Sequence, residues 1–185
     1  SNDIALHLEA NSRMGILSYA QESNLVCRSV GIQIGSGAKI ELACNSSFQG
    51  CSIQAFDEDD NLDHIAHYGF SAHIDECECR SVRLHGENTR FHAQQSQFHE
   101  SSTLSFLQGC YDIRSCSFNG SSIHSGEMQY ACILRDCEFT DQTEDRFVSD
   151  ISLNKLQIER CGFYENTQDA IYKKGGQLSL RCNEF

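Results

Sequence analysis

The residue types best suited to metal chemistry form an acidic run at positions 57–63. Carboxylate and amide side chains alternate along this run, at Asp57, Asp59, Asn61 and Asp63. Calcium-binding loops begin with the same alternation, because this hard cation prefers oxygen ligands. However, Leu62 stands where a glycine would allow the tight turn, and Tyr68 where a bidentate glutamate would complete the coordination shell. We therefore expect a solvated acidic loop and no cofactor, with a calcium site as the alternative.

A second set of carboxylates recurs near equivalent positions of a repeated pattern in the last third of the chain. These residues are Asp112, Asp136, Glu138, Glu159 and Asp169. Carboxylates about 5–10 Å apart along one face could act as acid, base or nucleophile in glycan cleavage. Outward positions of a repeat are also commonly acidic, because they must face water. A glycan-cleaving enzyme is therefore the alternative to a non-catalytic binding module.

Aromatic and imidazole side chains are the remaining candidates. Four tyrosines could contact a partner from an outer face, namely Tyr111, Tyr130, Tyr164 and Tyr172. The histidines recur at intervals of seven residues (His85, His92, His99) and of three residues (His64, His67). Strands project residues at these spacings in different directions. We therefore expect the histidines to be surface or partly packed residues.

A short pattern recurs in the last third of the chain and must position these side chains. An apolar residue is followed three positions later by a small one and five positions later by phenylalanine, at residues 113–118, 134–139 and 158–163. The last copy of the pattern, at Leu180, Cys182 and Phe185, is shifted by one residue. With lower fidelity the pattern extends back to Cys51. We call the small residue of each repeat its anchor, and successive anchors from Cys51 onwards are separated by 26, 19, 20, 21, 24 and 21 positions. A period of this size is typical of stacked coils.

Each repeat contains short apolar strands separated by polar or glycine-rich bends, most clearly at residues 156–180. Three strands and three bends per coil predict an all-β protein, a right-handed parallel β-helix of about seven to eight coils of 19–26 residues. Side chains at equivalent positions of such coils stack about 4.8 Å apart. Phe139 and Phe163 should therefore lie in one inward column, and the cysteines in another. We expect residues 1–185 to form a single domain, excised from a longer protein.

Residues 156–171 resemble the coil consensus of the pectate-lyase-like right-handed β-helix superfamily, in which an I-x-I-x-x-C/N-x-F step precedes Asn and a Gly/Ala-Ile strand. The resemblance covers about residues 48–185 and implies only the fold. The superfamily includes polysaccharide lyases and hydrolases, phage tailspikes, adhesins and non-catalytic binding repeats. No catalytic motif can be transferred to this sequence. Residues 153–163 also fit a leucine-rich repeat, but the other repeats place Gln129 and Gln108 at the first leucine position.

Composition narrows the possible partners. The formal net charge of −12 disfavours nucleic acids and anionic membranes. The eleven cysteines are odd in number and mostly share one repeat position, unlike a disulfide framework. Reduced thiols favour an intracellular location, with the cell surface or exterior as the alternative. The sequence thus predicts a non-catalytic β-helix module that binds a protein or a glycan along one face.

Overall fold

A computed structural model describes residues 4–9, 13–17, 24–36, 38–56, 63–141, 146–165, 167 and 169–185. These residues form 22 β-strands and no helix. In chain order the strands are β1 (Ile4–Leu8), β2 (Arg13–Leu17), β3 (Asn24–Arg28), β4 (Gly31–Ile34), β5 (Lys39–Ala43), β6 (Asn45–Gln49), β7 (Ser52–Ala55), β8 (Ile65–Tyr68), β9 (Ser71–Asp75), β10 (Glu78–Arg80), β11 (Arg83–Gln94), β12 (Gln97–His99), β13 (Thr103–Arg114), β14 (Ser117–Asn119), β15 (Ser122–Gly126), β16 (Cys132–Arg135), β17 (Glu138–Thr140), β18 (Val148–Asp150), β19 (Lys155–Glu159), β20 (Gly162–Phe163), β21 (Ile171–Lys173) and β22 (Gln177–Arg181).

All strand pairs are parallel, and together they form a β-solenoid of about seven turns. The strands lie on three faces, each with eight strand segments, so that about seven turns separate the first segment of a face from the last. Face 1 contains β2, β5, β8, the first half of β11, the first half of β13, β15, β18 and β21. Face 2 contains β3, β6, β9, the second halves of β11 and β13, β16, β19 and β22. Face 3 contains β1, β4, β7, β10, β12, β14, β17 and β20.

The core is a set of inward columns, one residue per coil, produced by the alternation of buried and outward residues along each strand. On face 3 the column ends in stacked phenylalanine rings, with centroids 4.8 Å apart for Phe98 and Phe118, 4.6 Å for Phe118 and Phe139, and 4.8 Å for Phe139 and Phe163. Phe185 continues the stack at 5.3 Å. The predicted inward positions of Phe139 and Phe163 are therefore confirmed.

The anchor residues occupy the turn between faces 2 and 3. From Cys51 onwards they are Cys51, Cys77, Ser96, Cys116, Cys137, Cys161 and Asn183. The predicted slip in the last repeat is wrong, because Leu180 pairs with Ile158 and Glu184 pairs with Gly162. Asn183 therefore takes the anchor position, where its amide accepts a hydrogen bond from Cys161 N (2.9 Å) and donates one to Ile158 O (3.0 Å). Cys182 instead lies exposed at the tip of the turn.

Two histidines depart from the expected surface location. His64 and His67 are buried, with exposed fractions of 1% and 2%, whereas His85, His92 and His99 are half-buried. The side chain of His67 projects inward because its coil position is that of Leu42 in the preceding coil. Burial lowers the pKa of His67 to about 4, which keeps the ring neutral.

Candidate functional site

Two adjoining depressions follow the corner between faces 2 and 3, and both include Asp136 and Glu138. The one nearer the C-terminus has a volume of about 580 Å³, and the other a volume of about 320 Å³. We call the two together the corner groove. One part of it is lined by the neutral polar residues Gln95, Gln97, Ser115 and Ser117. The other part carries Arg160, Tyr164 and Glu184 in addition to the two shared carboxylates.

The walls of the groove follow from the backbone at this corner. The residue before each anchor has a positive φ, for example 51° at Ser115, 54° at Asp136 and 53° at Arg160. This left-handed conformation turns the chain from face 2 to face 3 and leaves these side chains at the outer edge. The residue after each anchor, such as Glu138, begins the next strand of face 3. One wall therefore consists of turn residues, and the other of the first residues of face 3.

The floor of the groove is made of buried thiols that hydrogen-bond within the turn. The thiols of Cys116, Cys137 and Cys161 donate to the carbonyl two residues earlier, at 3.2, 3.3 and 3.5 Å. Burial raises the pKa of Cys116 to about 11. A hydrogen bond to Cys161, together with burial, raises the pKa of Cys137 well above its ordinary value. Cys116 and Cys137 are therefore protonated and serve as packing residues, not as nucleophiles, whereas the hydrogen bond from Cys137 lowers the pKa of Cys161.

Arg160 fixes the charges of the turn wall. Its guanidinium binds both carboxylate oxygens of Asp136, with Nε–Oδ1 at 2.6 Å and Nη2–Oδ2 at 2.8 Å. These hydrogen bonds lower the pKa of Asp136. Arg160 Nη1 also contacts Glu159 Oε1 at 2.7 Å, and Arg135 and Arg181 approach the Glu159 carboxylate at 3.1 and 3.7 Å. Asp136 is thus held as the ionised partner of Arg160, and the Glu159 carboxylate lies within 4 Å of three arginines.

Tyr164 lies across the floor of the acidic part. Its hydroxyl donates a hydrogen bond of 2.6 Å to Glu184 Oε2, which raises the pKa of the phenol. The ring covers Gly162 so closely that a Cβ at that position would lie 2.5 Å from it. The absence of a side chain at Gly162 therefore leaves room for the ring, and 38% of Tyr164 remains exposed. Glu138 has no hydrogen bond or ion pair with any described residue, so its carboxylate is open to a ligand.

The four candidate tyrosines do not form one patch. Tyr164 lines the corner groove, and Tyr130, 56% exposed, lines a depression of about 300 Å³ at the corner between faces 1 and 2. Tyr172 lies on face 1, where the Arg146 guanidinium is 4.6 Å from its ring centroid. Tyr111 is not a surface residue: it is 1% exposed and packs against Phe106 at 5.1 Å. Its position pairs with Phe91 of the previous coil, which is also buried.

The candidate carboxylates likewise do not form a single row. Asp136 and Glu138 lie in the corner groove, whereas Asp112 is paired with Arg114 at 2.6 Å on face 2 and Asp169 lies 4.0 Å from Arg146. Glu184 is the groove carboxylate that sequence reasoning missed. Once Asn183 is aligned with the anchors, Glu184 falls in the column of Glu138, so a correct register of the last repeat would have identified it.

Of the acidic run at positions 57–63, the structure describes only Asp63. Asp57, Asp59 and Asn61 fall outside the described residues, and Asp63 Oδ2 lies 3.9 Å from His85 Nδ1. The described ranges contain no cluster of three or more metal-ligating side chains. The solvated acidic loop, and its alternative of a calcium site, both stay predictions. The same ranges contain no helix that could cross a membrane.

Comparison of the chain with protein-family models, with curated proteins and with solved structures gave no match. The parallel β-solenoid is therefore established by the strand pairing of this chain. The narrower resemblance to the pectate-lyase-like superfamily rests on the coil pattern alone.

Proposed function

We propose that this chain is a non-catalytic module that binds a glycan along the corner groove. The observation that carries the proposal is Tyr164, a part-exposed ring lying between carboxylates inside a groove of polar side chains. Sugar rings pack their C–H faces on aromatic rings, and their hydroxyls bind carboxylates, amides and guanidinium groups. The resemblance to pectate-lyase-like coils, a superfamily that includes glycan-binding repeats, supports the same function.

The dimensions and charge of the groove specify the ligand further. Gln97, Ser117, Glu138, Gly162 and Glu184 begin five successive coils on its face 3 side. Four steps of about 4.8 Å give a length of about 19 Å, which suits an oligosaccharide better than a monosaccharide. The carboxylates of Glu138 and Glu184 disfavour uronic or sulfated sugars. We therefore propose a neutral or amino-bearing glycan.

Isothermal titration calorimetry with short neutral, amino-bearing and anionic oligosaccharides tests this function. We expect binding of a neutral or amino-bearing glycan, and at least about a tenfold loss of affinity for Tyr164→Ala, since removal of one aromatic contact costs on the order of 1–2 kcal/mol. Tyr130→Ala is the matched control, because this tyrosine is also exposed but lies at another corner. Equal losses for both variants, or binding of anionic glycans only, would contradict the proposal.

A carbohydrate-active enzyme is the second candidate, favoured by the placement of Glu138 and Glu184. They occupy the same column two coils apart, about 10 Å between backbones at about 4.8 Å per coil. Inverting glycosidases hold their two carboxyl groups about 6.5–9.5 Å apart. Release of reducing ends from a bound oligosaccharide, lost in Glu138→Gln but not in Asp112→Asn, would establish this function. Binding of the oligosaccharide without release of reducing ends would instead support the non-catalytic module.

A further inference from the structure

The outward column of face 1 nearest to face 2 has an unusual order of residues. After Tyr68, which pairs with Glu87, the column contains a set of five residues, one per coil: Glu87, Leu107, Gly126, Ile151 and Lys174. Glu87 pairs with Leu107 and Leu107 with Gly126 in register. Ile151 N donates to Ser125 O, and Lys174 N donates to Asp150 O, which continues the column through the next two coils. We call this set the face 1 strip.

The middle of the face 1 strip is an exposed apolar surface. Leu107 and Ile151 are 38% and 54% exposed. Their side chains close over the glycine between them, because a Cβ on Gly126 would lie 3.5 Å from Ile151 and 3.8 Å from Leu107. Leu153, in the loop after Ile151, is 83% exposed. Clustered exposed apolar side chains mark a surface that another molecule covers.

Buried charges hold the loop that presents Ile151 and Leu153. The Asp150 carboxylate is fully buried and accepts a hydrogen bond of 2.8 Å from Ser152 N. Lys173 Nζ lies 3.3 Å from Asp150 Oδ2 and donates to Ser152 O at 2.5 Å. Both backbone groups of Ser152 are thus clamped by one buried ion pair. The exposed residues on either side of Ser152 are therefore part of a fixed surface.

The charges at the two ends of the face 1 strip are opposite, and the strip is symmetric in position about Gly126. Glu87 lies two coils before the glycine, and Lys174 two coils after it. Neither side chain forms an ion pair within the part of the chain that the structure describes. We propose that the face 1 strip is the contact surface of a homodimer, in which a second copy packs antiparallel across a two-fold axis at the level of Gly126.

This arrangement pairs every position of the strip with a compatible residue. Glu87 faces Lys174 of the second copy, Leu107 faces Ile151, and glycine faces glycine. An isologous interface requires this reciprocity, since each contact occurs twice. The axis lies in the plane of face 1, perpendicular to the stacking direction, so each outward column faces itself.

The neighbouring outward column of face 1 obeys the same symmetry. It contains His85, Ser105, His124, Ser149 and Tyr172. Across the axis His85 faces Tyr172, Ser105 faces Ser149, and His124 faces its own copy. No pair brings together two groups of like fixed charge. The corner groove lies between faces 2 and 3, opposite face 1, so dimerisation leaves it accessible in both copies.

Sedimentation equilibrium of the 185-residue chain over a range of concentrations tests the dimer. We expect a concentration-dependent dimer that Ile151→Asp dissociates, raising the dissociation constant about 100-fold or more. Glu87→Lys and Lys174→Glu should each raise it about tenfold, because each creates two like-charge contacts per dimer. The double variant Glu87→Lys/Lys174→Glu should return it to within about threefold of the original value, because the pairs are restored in reverse.

Two controls separate this interface from other modes of association. Val26→Asp alters an exposed apolar residue on face 2 and should leave the dimer intact. Leu180→Lys tests association through the last coil, where Leu178, Leu180 and Phe185 are exposed. The proposal is overturned if the chain is a monomer at all concentrations, or if Leu180→Lys alone dissociates the dimer. It is also overturned if the double charge reversal weakens the dimer by the two single effects combined, with no recovery of the dissociation constant.

Discussion

Two inward columns of the solenoid differ in the residues that they stack. One is the phenylalanine column of face 3, and the other is the second inward column of face 1. The first stacks one ring type from Phe98 to Phe185, with interplanar angles of 10° or less. The second, which we call the mixed column, changes residue in each coil. It reads Leu42, His67, Gly86, Phe106, Ser125, Asp150 and Lys173.

The difference shows how a solenoid can hold polar groups in its core. Identical flat rings in a parallel stack need only one another as packing partners, because a ring within the stack contacts the same ring type above and below. A polar member of the mixed column instead needs a specific partner. His67 shares a hydrogen bond of 3.1 Å with Ser46 Oγ, and Asp150 needs both Ser152 and Lys173. The phenylalanine column therefore needs no specific polar partner in any coil, whereas each polar member of the mixed column does.

The largest effect should come from interrupting the phenylalanine column. Phe139→Ala should lower the free energy of unfolding by about 3–5 kcal/mol, because this fully buried ring has stacked neighbours on both sides. Chemical denaturation measures the change. Phe185→Ala, 70% exposed at the end of the same column, is the matched control and should cost less than about 1 kcal/mol. Equal costs would show that stacking within the column does not determine stability.

Breaking the ion pair tests the mixed column. Lys173→Met should lower the free energy of unfolding by about 3–4 kcal/mol, because it leaves the carboxylate of Asp150 buried without its cation. Asp150→Leu/Lys173→Met, which removes both charges, should recover much of the loss, as buried ion pairs are often replaceable by apolar residues. A double variant less stable than Lys173→Met would show that the charges stabilise the fold outright.

His67 makes the mixed column sensitive to pH. Its folded pKa of about 4 lies below the ordinary value of 6.5, so the folded state disfavours the protonated ring. The stability associated with neutral His67 is complete above pH 6.5 and is lost as the pH falls towards 4, up to about 3 kcal/mol. Urea denaturation between these pH values measures the loss. His67→Leu, which supplies the residue of the preceding coil, should flatten this dependence.

The smallest effect is expected at Cys182, which belongs to neither column. Cys182→Ser should change the free energy of unfolding by less than about 0.5 kcal/mol. In thiol labelling of the native protein, Cys182 should react first, because it is exposed whereas the anchor cysteines Cys116, Cys137 and Cys161 are buried. Titration after denaturation without reductant should find most of the eleven cysteines free. Fewer than three free thiols would contradict the unbridged anchor column.

The same contrast explains what the sequence could predict. The phenylalanine column was predictable because the same residue recurs two positions after the anchor of each repeat, and three copies suffice to set the register. Tyr111 was predicted outward from its residue type, although it lies two positions before the inward Ile113 and must share its side of the strand. Asn183 was missed because the adjacent Cys182 matches the repeat by type. The mixed column and the face 1 strip repeat no residue, so only strand pairing brings their members together.

The central functional claim is that the corner groove receives a glycan against Tyr164. Titration of ¹⁵N-labelled protein with the oligosaccharide that binds most tightly tests it directly, through the shifts of backbone amide signals. We expect the largest shifts at Ser117, Glu138, Gly162 and Glu184, and none at Gly109 or Tyr130 beside the other depression. Shifts confined to the amides around Tyr130, or no shifts with any oligosaccharide of the panel, would contradict the account.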